Sequence, residues 1–155
     1  MALDQTAELR GLMQQLFRRF GALASEATPC GKPLPIAHAH ALMILQTRGE
    51  LSQQQLGAEL CIDKSNVARL CAKMVAAGHV DQKSCALDGR SRRVLLTVRG
   101  KRLAREVDAA SHARFGALLA ALPATRRGHV IEGLQHLVAA LDDARAVDLH
   151  ARSAE

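Results

Sequence analysis

Apolar residues recur at three- and four-residue spacing over most of this chain, and the recurrence breaks at a few capped or glycine-marked points. Leu9, Leu12, Met13, Leu16, Phe17, Phe20 and Leu23 form one stripe near the N-terminus, which predicts an amphipathic helix. A second helical stretch, Ala37 to Gln46, is entered through Pro33 and Pro35. Ser52-Gln53-Gln54-Gln55 is an S-x-x-Q capping box, with Leu51 and Leu56 at the spacing of a hydrophobic staple, so a short helix starts at Ser52 and runs through Leu60. The next starts at Asp63, whose carboxylate suits both the free N–H groups and the positive end of the helix dipole. Ile62 and Val67 repeat the staple, while Asn66 stands where a complete box has Glu or Gln. Val67, Leu70, Cys71, Met74 and Val75 then make one apolar face, and Gly78 is placed to end the helix in a left-handed cap.

The pattern changes after Gly78. Val80 to Cys85 and Arg93 to Val98 are β-prone, and Asp88-Gly89 within Leu87 to Ser91 is a strong turn signal, so this span predicts a hairpin. A long helix follows from about Val98, carrying Leu103, Val107, Ala110, Phe115, Leu118, Leu119 and Leu122. Pro123 interrupts it, and a last helix from about Thr125 carries Val130, Ile131, Leu134, Leu137, Val138 and Leu141.

The order helix, turn, helix, basic ribbon narrows the chemistry. Lys64, Ser65, Asn66 and Arg69, continuing toward Lys73, give the second short helix a face of donors with little acid among them. A helix of this size fits a DNA major groove, where Asn pairs with adenine and Arg with guanine, and Ser with the helix N-terminus suits a phosphate. The bland alternative is a solvated polar face. The ribbon favours DNA, because Arg90, Arg92 and Arg93 stand on or beside its turn, as a minor-groove or phosphate contact requires. Asp88 and Gly89 organise that turn. Gln53 and Gln54, at the start of the preceding helix, are placed to touch the DNA backbone.

Charge agrees. The 155-residue chain carries +6, yet Cys61 to Arg105 holds eleven Lys or Arg against three Asp, a net +8, so the remainder sums to −2. Such a patch binds phosphates by counterion release, with salt-dependent affinity. A membrane surface would also attract it, but these arginines sit on a turn and not on a membrane-lying amphipathic helix. No run of about eighteen apolar residues occurs, and Met1 to Arg10 has no signal-peptide core. A cytoplasmic, prokaryotic protein of one domain is expected.

Thr47 to Arg105 resembles the winged helix-turn-helix of the MarR family of bacterial transcriptional regulators. The resemblance is carried by Leu51-Ser52-Gln53-Gln54-Gln55-Leu56-Gly57 with Leu60, by Asp63 through Leu70, by Ala77-Gly78-His79-Val80, and by Leu96-Thr97-Val98-Arg99-Gly100. Asp88, Arg90 and Arg93 match the family's D-x-R-x-x-R wing. The chain departs from the pattern at Cys61, in the turn between helices, and in aromatic content, with three Phe and no Tyr or Trp. The resemblance implies a mainly α fold with a small β-hairpin wing. One MarR-like domain over 1–155 would comprise a winged lobe at about 34–100 and dimerisation helices at about 5–26 and 101–147. It implies a homodimer on a palindromic operator in double-stranded DNA, released by a small molecule or another signal, with no required cofactor.

The apolar stripes point to the same dimer. The long helix is tied to the ribbon at its start, so its stripe leaves the lobe and needs cover, most simply from a second subunit about a twofold axis. Two reading helices then lie about 34 Å apart, one DNA turn.

Sensing chemistry is thinner. No C-x-x-C occurs, so the four cysteines are expected as thiols, and Cys30 and Cys61 are the candidates for redox sensing, with Lys32 near Cys30. Cys30, His40, Glu106 and His112 are the candidates for a metal, without the usual i, i+4 histidine pair. A thiol- or metal-sensing regulator of the same fold and a winged helix that only docks protein are the alternatives. No G-x-S-x-G, Walker loop, H-E-x-x-H or dinucleotide turn points to an enzyme.

Overall fold

A computed structural model describes residues 4–23, 26–84 and 91–153, with side chains described to residue 147. Among the described residues six helices and three strands follow in the order α1 (Gln5–Phe20), α2 (Ile36–Arg48), β1 (Leu51–Ser52), α3 (Gln53–Leu60), α4 (Lys64–Ala76), β2 (Val80–Ser84), β3 (Arg92–Leu96), α5 (Val98–Ala121) and α6 (Ala124–Ser153). The expected fold class, mainly α with a small β wing on a helix-turn-helix, is the one observed. Two compact units divide it at residues 113 and 114.

The caps read from the sequence form. Ser52 Oγ accepts from the Gln55 N–H at 3.0 Å while Gln55 Oε1 accepts from the Ser52 N–H at 2.9 Å, a complete reciprocal box. Asp63 caps α4 by accepting from the Asn66 N–H at 2.8 Å. Past Ala77, Gly78 has φ +72°, and its N–H and that of His79 bond back to Val75 and Met74, closing the helix. Between α3 and α4 the turn is made by Cys61, at φ 59° in the left-handed region where glycine is usual. The helix-turn-helix thus places a thiol-bearing residue where its backbone is least at ease.

The sheet has an unexpected third strand. Its order is β1-β3-β2, all antiparallel, with Leu51 opposite Val94 and Val80 opposite Leu96. Two residues are too few for a period-two signal, so β1 was invisible as a strand. It pins the ribbon to the start of α3.

One core joins these pieces. Leu42 and Leu45 of α2, Leu56 of α3, Val67, Cys71 and Met74 of α4, Val80 and Val94 of the ribbon, and Ala104 of α5 are buried together. Large side chains among them such as Leu42, Leu56 and Met74 each stabilise the lobe by about 1.5–3 kcal/mol. Val75, expected on the same α4 face, is 41 % exposed, at its edge. The start of α5 is locked to the lobe: Thr97 Oγ1 donates to the Gly78 carbonyl at 2.7 Å and accepts from the Gly100 N–H at 3.0 Å.

The terminal helices differ in kind. No residue of α1 is buried, and Leu9, Leu12, Leu16 and Phe17 are exposed along it. In the second unit Phe115, Leu118, Val130, Ile131, Leu134, Val138 and Leu141 are also exposed, although the helices are regular. Among the described residues no helix is long and apolar enough to cross a membrane.

Candidate nucleic-acid interface

α4 turns its apolar residues inward, and the opposite face follows from the helical period. Lys64, Ser65, Asn66, Arg69 and Lys73 are all exposed, while Val67, Leu70, Cys71 and Met74 are buried. The donor face expected from the sequence is therefore intact. Its N-terminal half is internally bonded. Asn66 Nδ2 donates to Asp63 Oδ2 at 2.6 Å, and Arg69 Nη2 donates to Asn66 Oδ1 at 2.5 Å. The Asn66 N–H beside Asp63 holds its carboxyl below the usual carboxylate range, and the Asn66 side chain and the Arg69 charge act in the same direction.

Of the wing residues, Arg92 and Arg93 lie on β3, opposite Ser84 and Lys83 of β2. Arg92 is exposed, whereas Arg93 Nε donates to Glu50 Oε1 at 2.9 Å. Asp88, Gly89 and Arg90 lie outside the described residues. Gln54 is exposed at the start of α3, but Gln53 is half-buried, its Oε1 accepting from Gln82 Nε2 of β2 at 2.9 Å. Gln53 therefore braces helix to ribbon.

A groove of about 460 Å³ lies beside the wing, within the size range of small-molecule sites. Leu45, Leu95 and Leu96 supply its apolar wall, and Glu50, Lys101 and Arg105 its charges. Among the described residues neither Lys101 nor Arg105 has a carboxylate partner, so the groove's uncompensated charge is positive.

The sensing residues are arranged otherwise than expected. Cys30 Sγ lies 3.0 Å from Thr28 Oγ1 in the loop before α2. Lys32, expected to serve Cys30, has its ammonium 3.5 Å from Glu106 Oε2 instead. Cys61 is exposed, and its thiol donates to the Glu59 carbonyl at 3.9 Å. Cys71 is in the core, where burial pushes its thiol up. The four metal candidates do not converge: among the described residues no three His, Cys, Asp or Glu could hold a metal ion. Glu106 is engaged by Lys32, and His40 is exposed on α2.

Sequence reasoning missed a buried contact. His38 Nε2 and His79 Nδ1 are 3.0 Å apart, joining α2 to the corner between α4 and β2. Burial holds both imidazoles below their ordinary range, aided at His38 by His79 and at His79 by Arg99. Forty-one positions separate them, and no local pattern announces the pair.

A helix-turn-helix followed by a two-stranded ribbon, which a short strand before it completes to a three-stranded sheet, defines a winged helix-turn-helix protein. Residues 32–91 match the model of the MarR family, so the resemblance carried by the motifs is borne out over that segment. Solved structures share the fold across most of the chain. The PcaV transcriptional regulator from Streptomyces coelicolor, solved with its natural ligand, is 21 % identical with TM-score 0.67, over 91 % of this chain and 99 % of its own. FabT from Streptococcus pneumoniae, in complex with DNA, is 15 % identical with TM-score 0.72, over 89 % and 98 %. A MarR transcriptional regulator from Methanosarcina mazei Go1 is 24 % identical with TM-score 0.66, over 84 % and 94 %. No curated protein sequence matches the chain significantly.

Proposed function

We propose that this protein is a DNA-binding transcriptional repressor, acting as a homodimer on a palindromic operator and released by a small-molecule signal. The observation that carries the reading is the α4 face, where Lys64, Ser65, Asn66, Arg69 and Lys73 are all exposed while Val67, Leu70, Cys71 and Met74 are buried. α4 enters the major groove. Arg92 with Arg90 and Arg93 engages the adjacent minor groove or its phosphates, and Gln54 touches the backbone. Arg69 reads a base, so Arg69→Ala weakens operator binding by about 1–3 kcal/mol. The solved DNA complex of FabT, of the same fold, supports this arrangement.

The exposed stripes of α1 and α6 cover one another across a twofold axis, which places two reading helices on one face of a palindrome. The signal is a small molecule with an anionic group, seated against Leu95 and Leu96 with Lys101 and Arg105 beside it. Glu50 lines the same groove and holds Arg93, so an occupant there acts on a wing cation. PcaV, solved with its natural ligand, supports ligand control in this fold.

The test is binding of the full chain to random duplex DNA at two salt concentrations. A protein neutralising about 6–10 phosphates loses roughly 10³–10⁵ in affinity between about 50 and 200 mM salt. Weak binding at both concentrations would instead mark a winged helix that docks protein.

A further inference from the structure

The amide of Asn66 has only one orientation open to it. The Asp63 carboxylate can only accept hydrogen bonds, and the Arg69 guanidinium can only donate them. Nδ2 must therefore face Asp63 Oδ2, at 2.6 Å, and Oδ1 must face Arg69 Nη2. These are the two atoms that asparagine offers to the N6 and N7 of adenine. Asp63 is itself fixed, because its other oxygen accepts from the Asn66 backbone at the helix N-cap. The result is a chain of bonds along one exposed face, anchored at the cap and ending on a guanidinium.

We infer that Asp63 and Asn66 are positioning residues that set the place of Arg69, and that Arg69 alone reads a base edge from this triplet. The inference rests on the proposed DNA reading of α4. One Nη2 hydrogen is spent on Asn66, and the guanidinium has five donors, so a pair remains for the O6 and N7 of one guanine. An unrestrained arginine loses its rotamer freedom on docking, whereas one already held loses less. The relay also accounts for a carboxylate in a donor-rich face that meets phosphates. Asp63 weakens attraction to DNA of any sequence and sharpens the choice of one base pair. Asn66, read from the sequence as a contact to adenine, becomes the middle link.

The test is selection from a randomised duplex library by the full chain and its variants. Serine caps a helix as well as aspartate, so Asp63→Ser keeps the start of α4 and removes the anchoring carboxylate. Asn66→Ala leaves the Asp63 cap on the backbone and breaks the relay at its middle, and thermal melting checks that both are folded. The parent selects one guanine per half-site. Each variant lowers that preference about fivefold or more, while binding to random duplex is unchanged or tighter. In an Arg69→Ala background neither change has a further effect, since what it positions is gone. Undiminished guanine preference in both variants overturns the relay alone. Loss of an adenine preference in Asn66→Ala also overturns it, by making Asn66 a reader. A parent that binds no duplex at any salt overturns the DNA reading itself.

Discussion

Gly100→Ala isolates the joint between wing and long helix. A Cβ at this position would stand 1.9 Å from the His79 carbonyl oxygen and 2.8 Å from its carbonyl carbon. Carbon–oxygen contacts settle at about 3.3–3.6 Å, so backbone must move by roughly 1.5 Å. No flexible side chain is available to yield, because the obstacle is the peptide after His79. The same peptide accepts from the Thr97 N–H at 3.1 Å, and its neighbour accepts from Thr97 Oγ1 at 2.7 Å. Overpacking costs about 1–3 kcal/mol, and each loosened hydrogen bond about 0.5–1.5 kcal/mol. Alanine's helix propensity returns at most about 1 kcal/mol. The net is a loss of about 3 kcal/mol, or roughly 6–12 °C in Tm for a chain of this length. The assay is thermal melting by circular dichroism at fixed protein concentration, with Gly116→Ala as the control. Gly116 lies in the same helix with nothing within 4 Å of an added Cβ. It should melt at or slightly above the parent temperature. A Gly100→Ala variant as stable as that control would refute the close approach.

The buried histidines predict acid sensitivity. Burial sets the folded pKa of both His38 and His79 below the ordinary 6.5, so the unfolded chain takes up protons first. Their contribution is therefore complete above about pH 6.5 and is lost as pH falls below it; Tm should drop between about pH 7.5 and about pH 5.5, and less so in His38→Gln. A parallel pH dependence in that variant would deny the pair this role. Ile131→Glu combined with Leu134→Glu should leave the winged lobe folded, since no α6 residue is buried among the described residues, and should convert the proposed dimer to a monomer in sedimentation. An unchanged sedimenting mass would move the subunit interface away from α6.

What was legible in the sequence was local. The capping box at Ser52, the cap at Asp63, the end at Gly78 and the apolar face through Met74 each depend on residues within one or two turns. Helix starts and ends could be read there because the backbone groups they satisfy belong to the same turns. The contacts that fix one element against another were not legible. His38 meets His79 and Arg93 meets Glu50 across more than forty positions. Cys61 stood out as unusual for its side chain, but its backbone at φ 59° is what sets it apart. Asn66 shows how a rule fails informatively. Too short for the Glu or Gln role in a capping box, it bonds the Asp63 carboxylate and passes the restraint to Arg69.

β3 is where these non-local contacts meet. It pairs with β1 on one side and β2 on the other. Arg93 on it holds Glu50, Leu95 and Leu96 line the groove, and one residue beyond it Thr97 binds the end of α4 through Gly78. A strand so held cannot slide by one residue without reversing the faces of Val94 and its neighbours. The groove is thus lined by a strand and a helix start that are held to one another. The peptide contact at Gly100 completes that hold, because nothing larger than hydrogen fits between the start of α5 and the carbonyl of His79.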